Sequence, residues 1–308
     1  MVTILALAAA VLYGTADFLG GVASRRASVF AVLALTVPAG AAVMLLAALL
    51  GQLPALRGLG TPAPAVSWAA VGWAAASGVC GAFGLIAFYT GFASAPISVV
   101  APVAALVSAV LPVGVAIAGG ERPAATVIAG GLICLVAIVL VSAQPADRAR
   151  PERSQRPGGE GRSSRIRLVT SGRLLAIGCG AAAGVGFGLF FICLKNAGQS
   201  GVLWPVAISR SAGTVVAFGI ALATRTRLRS GRGGITVIAL VSGSIDAAAN
   251  VCYILATRVG LFGLAVVITS LYPGMTVLLA RVLLGERMRW LQRAGLLLAA
   301  VGVVLVTV

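Results

Sequence analysis

Three charged residues stand inside stretches that are otherwise apolar: Asp17, Arg210 and Asp246. A bare charge at the centre of a bilayer costs about 2.5–3.5 kcal/mol on insertion scales, so such residues face a cavity or a partner. Asp17 lies one helical turn beyond Tyr13, on the same face. Asp246 shares a stripe with Ser242 and Asn250, four residues to either side, and Tyr253 is close by. That face presents hydroxyls, an amide and a carboxylate, a candidate wall for a polar solute. Arg210 has a stem long enough to snorkel toward the interface, whereas the two aspartates are too short to do so. Counted along their spans, Arg210 and Asp246 differ in depth by only about 3 Å at 1.5 Å per residue. Arg210 is therefore expected to neutralise Asp246. Asp17 is left as the candidate for binding and releasing a proton, against the plainer alternative of a satisfied structural carboxylate.

Other residue types narrow the chemistry. Histidine is absent, which removes a His-based proton relay, metal centre or triad. The five cysteines (Cys80, Cys134, Cys179, Cys193, Cys252) all fall in apolar segments, and no pair has metal-ligand spacing, so they read as small core residues and neither metal nor cofactor is expected. Of the seven acidic residues, three lie between 146 and 160 and two in Gly-Glu-Arg triplets, too few elsewhere for most enzyme chemistries. No P-loop is present. Pro102, Pro112 and Pro273 fall within apolar spans. A proline frees a carbonyl one turn back, so these three are candidate helix breaks. Gly180, Gly184 and Gly188, four apart, give one helix a smooth ridge for close packing.

These residues are carried by long hydrophobic runs. Charged residues make up 10% of the chain and hydrophobic ones 60%, against roughly 25% and 45–50% in globular proteins. With about 20 apolar residues needed per span, the runs predict ten transmembrane helices. They lie near 3–23, 29–50, 66–92, 97–118, 124–142, 174–194, 202–224, 235–257, 261–281 and 290–308. The first run lacks the basic leader of a signal peptide and holds Asp17, so it is expected to be a retained span. Residues 144–172, rich in Arg, Pro, Gly and Ser, read as a flexible linker. The linker divides the chain into a five-helix half at 1–143 and another at 173–308.

The halves resemble each other. Gly120-Glu121-Arg122 follows the fourth span and Gly285-Glu286-Arg287 the ninth; Tyr13-Gly14 corresponds to Phe187-Gly188. An odd number of spans per half forces the two copies into opposite orientations, the inverted-repeat logic of secondary transporters. With these triplets, with Ser270-Leu271-Tyr272-Pro273 in the ninth span, and with Tyr13-Gly14-Thr15-Ala16-Asp17-Phe18 in the first, the chain resembles the EamA-like members of the drug/metabolite transporter superfamily. The resemblance implies ten helices around a central cavity and transport of small organic solutes. It also favours a cavity role for Arg210.

The expected function is gradient-driven secondary transport of a small metabolite or drug-like solute across the cytoplasmic membrane, with protons as the candidate driving ion and no enzyme activity. A structural or assembly membrane protein without flux, and a membrane enzyme on lipid-linked substrates, are the competing classes. The net charge of +16 points to membrane lipids rather than nucleic acid, because the basic residues sit between hydrophobic spans. Eighteen of them fall on the linker side and four on the side of the N-terminus. Lys and Arg in short loops are retained in the cytoplasm, so the linker is expected inside and both termini outside, although members of the resembled family are commonly drawn with termini inside.

Overall fold

The structure is a computed structural model that describes residues 1–24, 29–52, 67–94, 97–142, 162–223, 233–284 and 290–307. All regular structure among them is helical. In chain order the helices are α1 (Val2–Ser24), α2 (Val29–Leu50), α3 (Trp68–Ser94), α4 (Ile97–Ala118), α5 (Ala125–Ser142), α6 (Arg162–Ala197), α7 (Leu203–Ala223), α8 (Gly233–Val259), α9 (Phe262–Thr269), α10 (Tyr272–Leu284) and α11 (Trp290–Thr307). Seven helical stretches have the length and hydropathy of a membrane span, with α9 and α10 together forming one of them. Three shorter apolar helices bring the total to ten. The chain is an all-α, multi-pass membrane protein.

The helices pair mainly across the two halves. α1 lies against α8, and α6 against α3; α2 crosses α7, and α5 crosses α11. The α4–α6 contact is matched by that of α1 with α9 and α10, and the α3–α7 contact by that of α8 with α2. Exchanging the halves therefore maps this set of contacts onto itself. Small residues make the approaches possible, since helices in lipid associate through close van der Waals packing. A Cβ on Gly40 would stand 2.7 Å from the Gly243 carbonyl oxygen, and one on Gly78 would stand 2.9 Å from the Gly213 amide, at the two matching crossings. The Gly180–Gly184–Gly188 ridge meets Val100, Val103, Val107 and Leu111 of α4.

α4 ends in a turn that only glycine suits. Gly120 has φ +97°, in the left-handed region. Its amide bonds the Ile117 carbonyl and the Glu121 amide bonds the Ala116 carbonyl, both at 3.0 Å. This is the Schellman arrangement that satisfies carbonyls at a helix end. The second triplet, Gly285-Glu286-Arg287, lies outside the described residues.

Two expectations change. α6 begins at Arg162, inside the segment expected as linker, and runs for 36 residues. At 1.5 Å per residue this is about 54 Å, well beyond the roughly 30 Å hydrocarbon core. Between Arg162 and Ser171 the sequence has neither proline nor glycine, so helix initiated in the span propagates back to the glycines at 158, 159 and 161. Linker residues 144–161 lie outside the described residues. Of the three candidate helix breaks, only Pro273 lies at one. α4 is continuous from 97 to 118 through Pro102 and Pro112; an isolated proline in a membrane helix removes one donor, and local adjustment can keep the helix going. The Pro102 side chain lies outside the described residues, and Pro112 is buried. In the ninth span α9 stops at Thr269 and α10 restarts at Tyr272, which puts Pro273 in the first turn of α10. There a missing N–H leaves no intrahelical bond unmade.

Candidate functional site

The polar residues singled out in the sequence come from α1, α7 and α8. α1 crosses α8 along an alanine-rich seam that includes buried Ala6, Ala9 and Ala16 on one side and Ala249 and Ala256 on the other. Within that seam the Tyr13 hydroxyl donates to Asn250 Oδ1. Asn250 Nδ2 donates to the Asp246 backbone carbonyl at 3.0 Å. The Asp246 carboxylate forms an ion pair with the Arg210 guanidinium of α7. Tyr13 is 8% exposed and Asn250 1%, so the amide links α1 to α8 away from any surface. The Ser242 hydroxyl donates to the Ala16 carbonyl at 2.8 Å. That engages Ser242 in the α1–α8 contact.

Asp17 sits differently. It is exposed, and no described residue donates a hydrogen bond to its carboxylate. It lies one helical turn beyond Tyr13, whose hydroxyl reaches Asn250 of α8. The three mid-span charges thus comprise one ion pair and one acidic group outside it. The Arg210 side chain is not saturated by Asp246, since its Nε is buried and meets no partner among the described residues.

The break in span nine borders this cluster. Tyr272, the first residue of α10, meets Tyr13 edge-on at a centroid distance of 6.3 Å. Thr276 donates to the Gly14 carbonyl at 3.0 Å. A Cβ on Gly14 would stand 2.5 Å from the Tyr272 carbonyl oxygen, so α1 and α10 touch backbone to backbone. Thr269 and Ser270 at the break are fully buried, and neither hydroxyl has a partner among the described residues. Pro273 has no N–H to offer the Thr269 carbonyl one turn back.

Aromatic rings close one side. Phe191 of α6 stands edge-on to Tyr13 at 6.1 Å and tilted to Tyr253 at 4.8 Å, and the Tyr253 hydroxyl donates to the Phe191 carbonyl at 2.9 Å. At the matching crossing of α6 on α3, Phe88 and Phe187 stand edge-on at 6.0 Å and Phe190 lies against Gly81. A separate cavity of about 390 Å³ opens between α1, α5, α10 and α11. Its wall is apolar and includes Leu7, Ala10, Ile138, Leu271 and Pro273 but none of Tyr13, Asp17, Arg210, Ser242, Asp246 or Asn250.

Glu121 bonds across the two halves, although in sequence it reads as part of a local turn. Both of its carboxylate oxygens accept from the start of α9, Oε1 from the Phe262 amide at 2.7 Å and Oε2 from the Gly263 amide at 3.1 Å. The sequence held a signal for this. The residue before α9 is Leu261, and no Ser, Thr, Asp or Asn is present to cap the helix from within. The first amides of the helix must then find an acceptor elsewhere. The Ser77 and Ser209 hydroxyls, which meet at 2.6 Å between α3 and α7, were likewise not singled out.

A buried polar seam thus joins the pairwise-matched halves of this all-helical, multi-pass membrane protein. Residues 173–308 match the model of the EamA-like transporter family. One solved structure, described only as "Crystal structure of protein", superposes with a TM-score of 0.71 at 19% identity, covering 99% of this chain and 96% of that one. It shows the shared fold. No curated protein matches the chain.

Proposed function

We propose that the chain is a secondary transporter that moves a small organic solute across the cytoplasmic membrane, driven by a gradient through proton exchange at Asp17. The observation that carries this reading is the division of the mid-span charges. Arg210 and Asp246 neutralise each other, and Asp17 stands exposed beside them without a described donor. A carboxylate in that position can exchange a proton without dismantling the helix contacts, whereas Asp246 cannot lose its charge without stranding Arg210. The Arg210–Asp246 pair and the Asn250–Tyr13 bond then hold α7, α8 and α1 in register around the path.

The test is flux in proteoliposomes under an imposed pH gradient, with amino acids and cationic dyes as candidate solutes. Asp17→Asn should abolish pH-driven flux and leave solute binding within about threefold, since the substitution keeps size and polarity but removes the titrating group. Normal pH-driven flux in Asp17→Asn would place the coupling elsewhere and make the carboxylate structural.

A further inference from the structure

We propose that Glu121 is a positioning residue that latches a gate on the N-terminal side of the transport path. In this reading the transition that opens that side releases its two bonds to α9. The inference rests on the transporter reading above and adds to it a residue and a moving part.

The latch joins the two halves. Glu121 follows the Schellman turn of α4 in the first half, and the amides it accepts begin α9 in the second. α9 has no side-chain cap of its own. Its leading amides and the positive end of its dipole therefore depend on a carboxylate from the opposite repeat. Charge-assisted bonds of this kind are stronger than neutral ones. They lie at the end of a span, where water can solvate both carboxylate and amides on separation. The same bonds at mid-span would strand a charge in a dry place.

Two further contacts converge on the same short segment. Lys195, at the end of α6, places Nζ 5.1 Å from the centre of the Phe262 ring. A Cβ on Gly260 would stand 2.7 Å from Val2 Cβ, so the first turn of α1 seals against the connection into α9. Below this seal α9 is buried along nearly its whole length, with Ala265 and Ile268 packed on Ala6 of α1. α9 then ends at the break beside Tyr13. α10, beyond the break, has no buried residues. One span thus joins a half buried among its neighbours to a more exposed half, and Glu121 fixes the buried one.

The experiment measures sidedness of access and needs no known solute. Single cysteines are placed at Ala6, beneath the latch, and at Ala23, near the other end of α1, in a background without native cysteines. Both alanines are buried. Reaction rates with a membrane-impermeant thiol reagent are compared with and without Glu121→Gln. The latch predicts that Glu121→Gln raises modification at position 6 by about tenfold, the loss of one charge-assisted bond, and lowers or leaves unchanged modification at position 23. Glu121→Asp, which keeps the charge on a shorter arm, should shift both rates the same way by a smaller factor. Equal rises at both positions would mean general loosening, and unchanged rates with lowered thermal stability would mean a static cap; either result overturns the latch. Flux is read separately. A sided shift in access without flux of any tested solute sustains the latch and counts against the transporter reading. Flux without a sided shift does the reverse.

Discussion

Arg210 of α7 and Asp246 of α8 are ion-paired in the membrane interior, with side-chain exposures of 13% and 27%. Removing one partner of a buried pair leaves the other charge uncompensated, at a cost of about 3–5 kcal/mol, whereas replacing both by apolar residues is often neutral. Asp246→Asn and Arg210→Met should each destabilise the protein toward the lower end of that range, because Asp246 keeps some exposure. The double variant Arg210→Met/Asp246→Leu should recover most of the loss. Reversible unfolding in mixed micelles gives the coupling; additive losses would show that the pair contributes nothing as a pair.

The Tyr13–Asn250 bond should be worth less. Hydrogen bonds between membrane helices average about 0.6 kcal/mol and reach about 1.7 kcal/mol. Tyr13→Phe is expected in the upper part of that range because it leaves Asn250 Oδ1 buried without its donor. Tyr13→Phe/Asn250→Leu should cost less than the sum of the single variants in the same unfolding measurement. A sum obeyed to within error would place the bond outside the folded state.

Thr269 offers a prediction of the opposite sign. Its hydroxyl is buried and has no described partner, and valine has the same shape without the desolvated oxygen. Thr269→Val should hold stability or raise it by about 1 kcal/mol, read as a higher midpoint of thermal aggregation in detergent. A lowered midpoint would show that the hydroxyl is bonded in the folded protein.

The charge bias makes a prediction about orientation. With eighteen basic residues on the linker side and four on the other, a cysteine at Ser163 in a background without native cysteines should be cytoplasmic. It should resist an impermeant thiol reagent in intact cells and react after lysis. Ready labelling in intact cells would place the termini inside, as members of the resembled family are usually drawn.

What was legible in the sequence follows from how each feature is encoded. Span count and boundaries are written in hydrophobicity, because a bilayer forbids exposed backbone polar groups and charge at mid-span; α2 and α4 begin and end at the expected residues. The proximity of Arg210 and Asp246 was accessible because depth along consecutive spans is a one-dimensional count. The cap on α9 was not, because Glu121 and Phe262 are 141 residues apart and only packing brings them together. The bond of Ser242 to α1 was not legible for a related reason. A helical stripe shows which side chains share a face, but whether that face meets a cavity or another backbone depends on the neighbour, here Ala16 of α1. Among the three prolines, Pro273 differs from Pro112 in following Thr269-Ser270 and a fully buried half-helix, a distinction that residue type alone does not make.

The pairing of helices across the halves has a consequence for biosynthesis. α1, α2 and α3 find their main neighbours in α8, α7 and α6, and the contacts of α1 with α2 and of α3 with α4 are slight by comparison. When the ribosome has delivered five spans, few lasting partners exist for them. The first half must wait in the membrane as loosely associated helices, dependent on chaperoning by lipid or by the insertion machinery. Compaction begins only as α6 emerges against α3 and α4. Severing the chain between the halves should therefore yield two pieces that are each unstable alone and that co-expression stabilises.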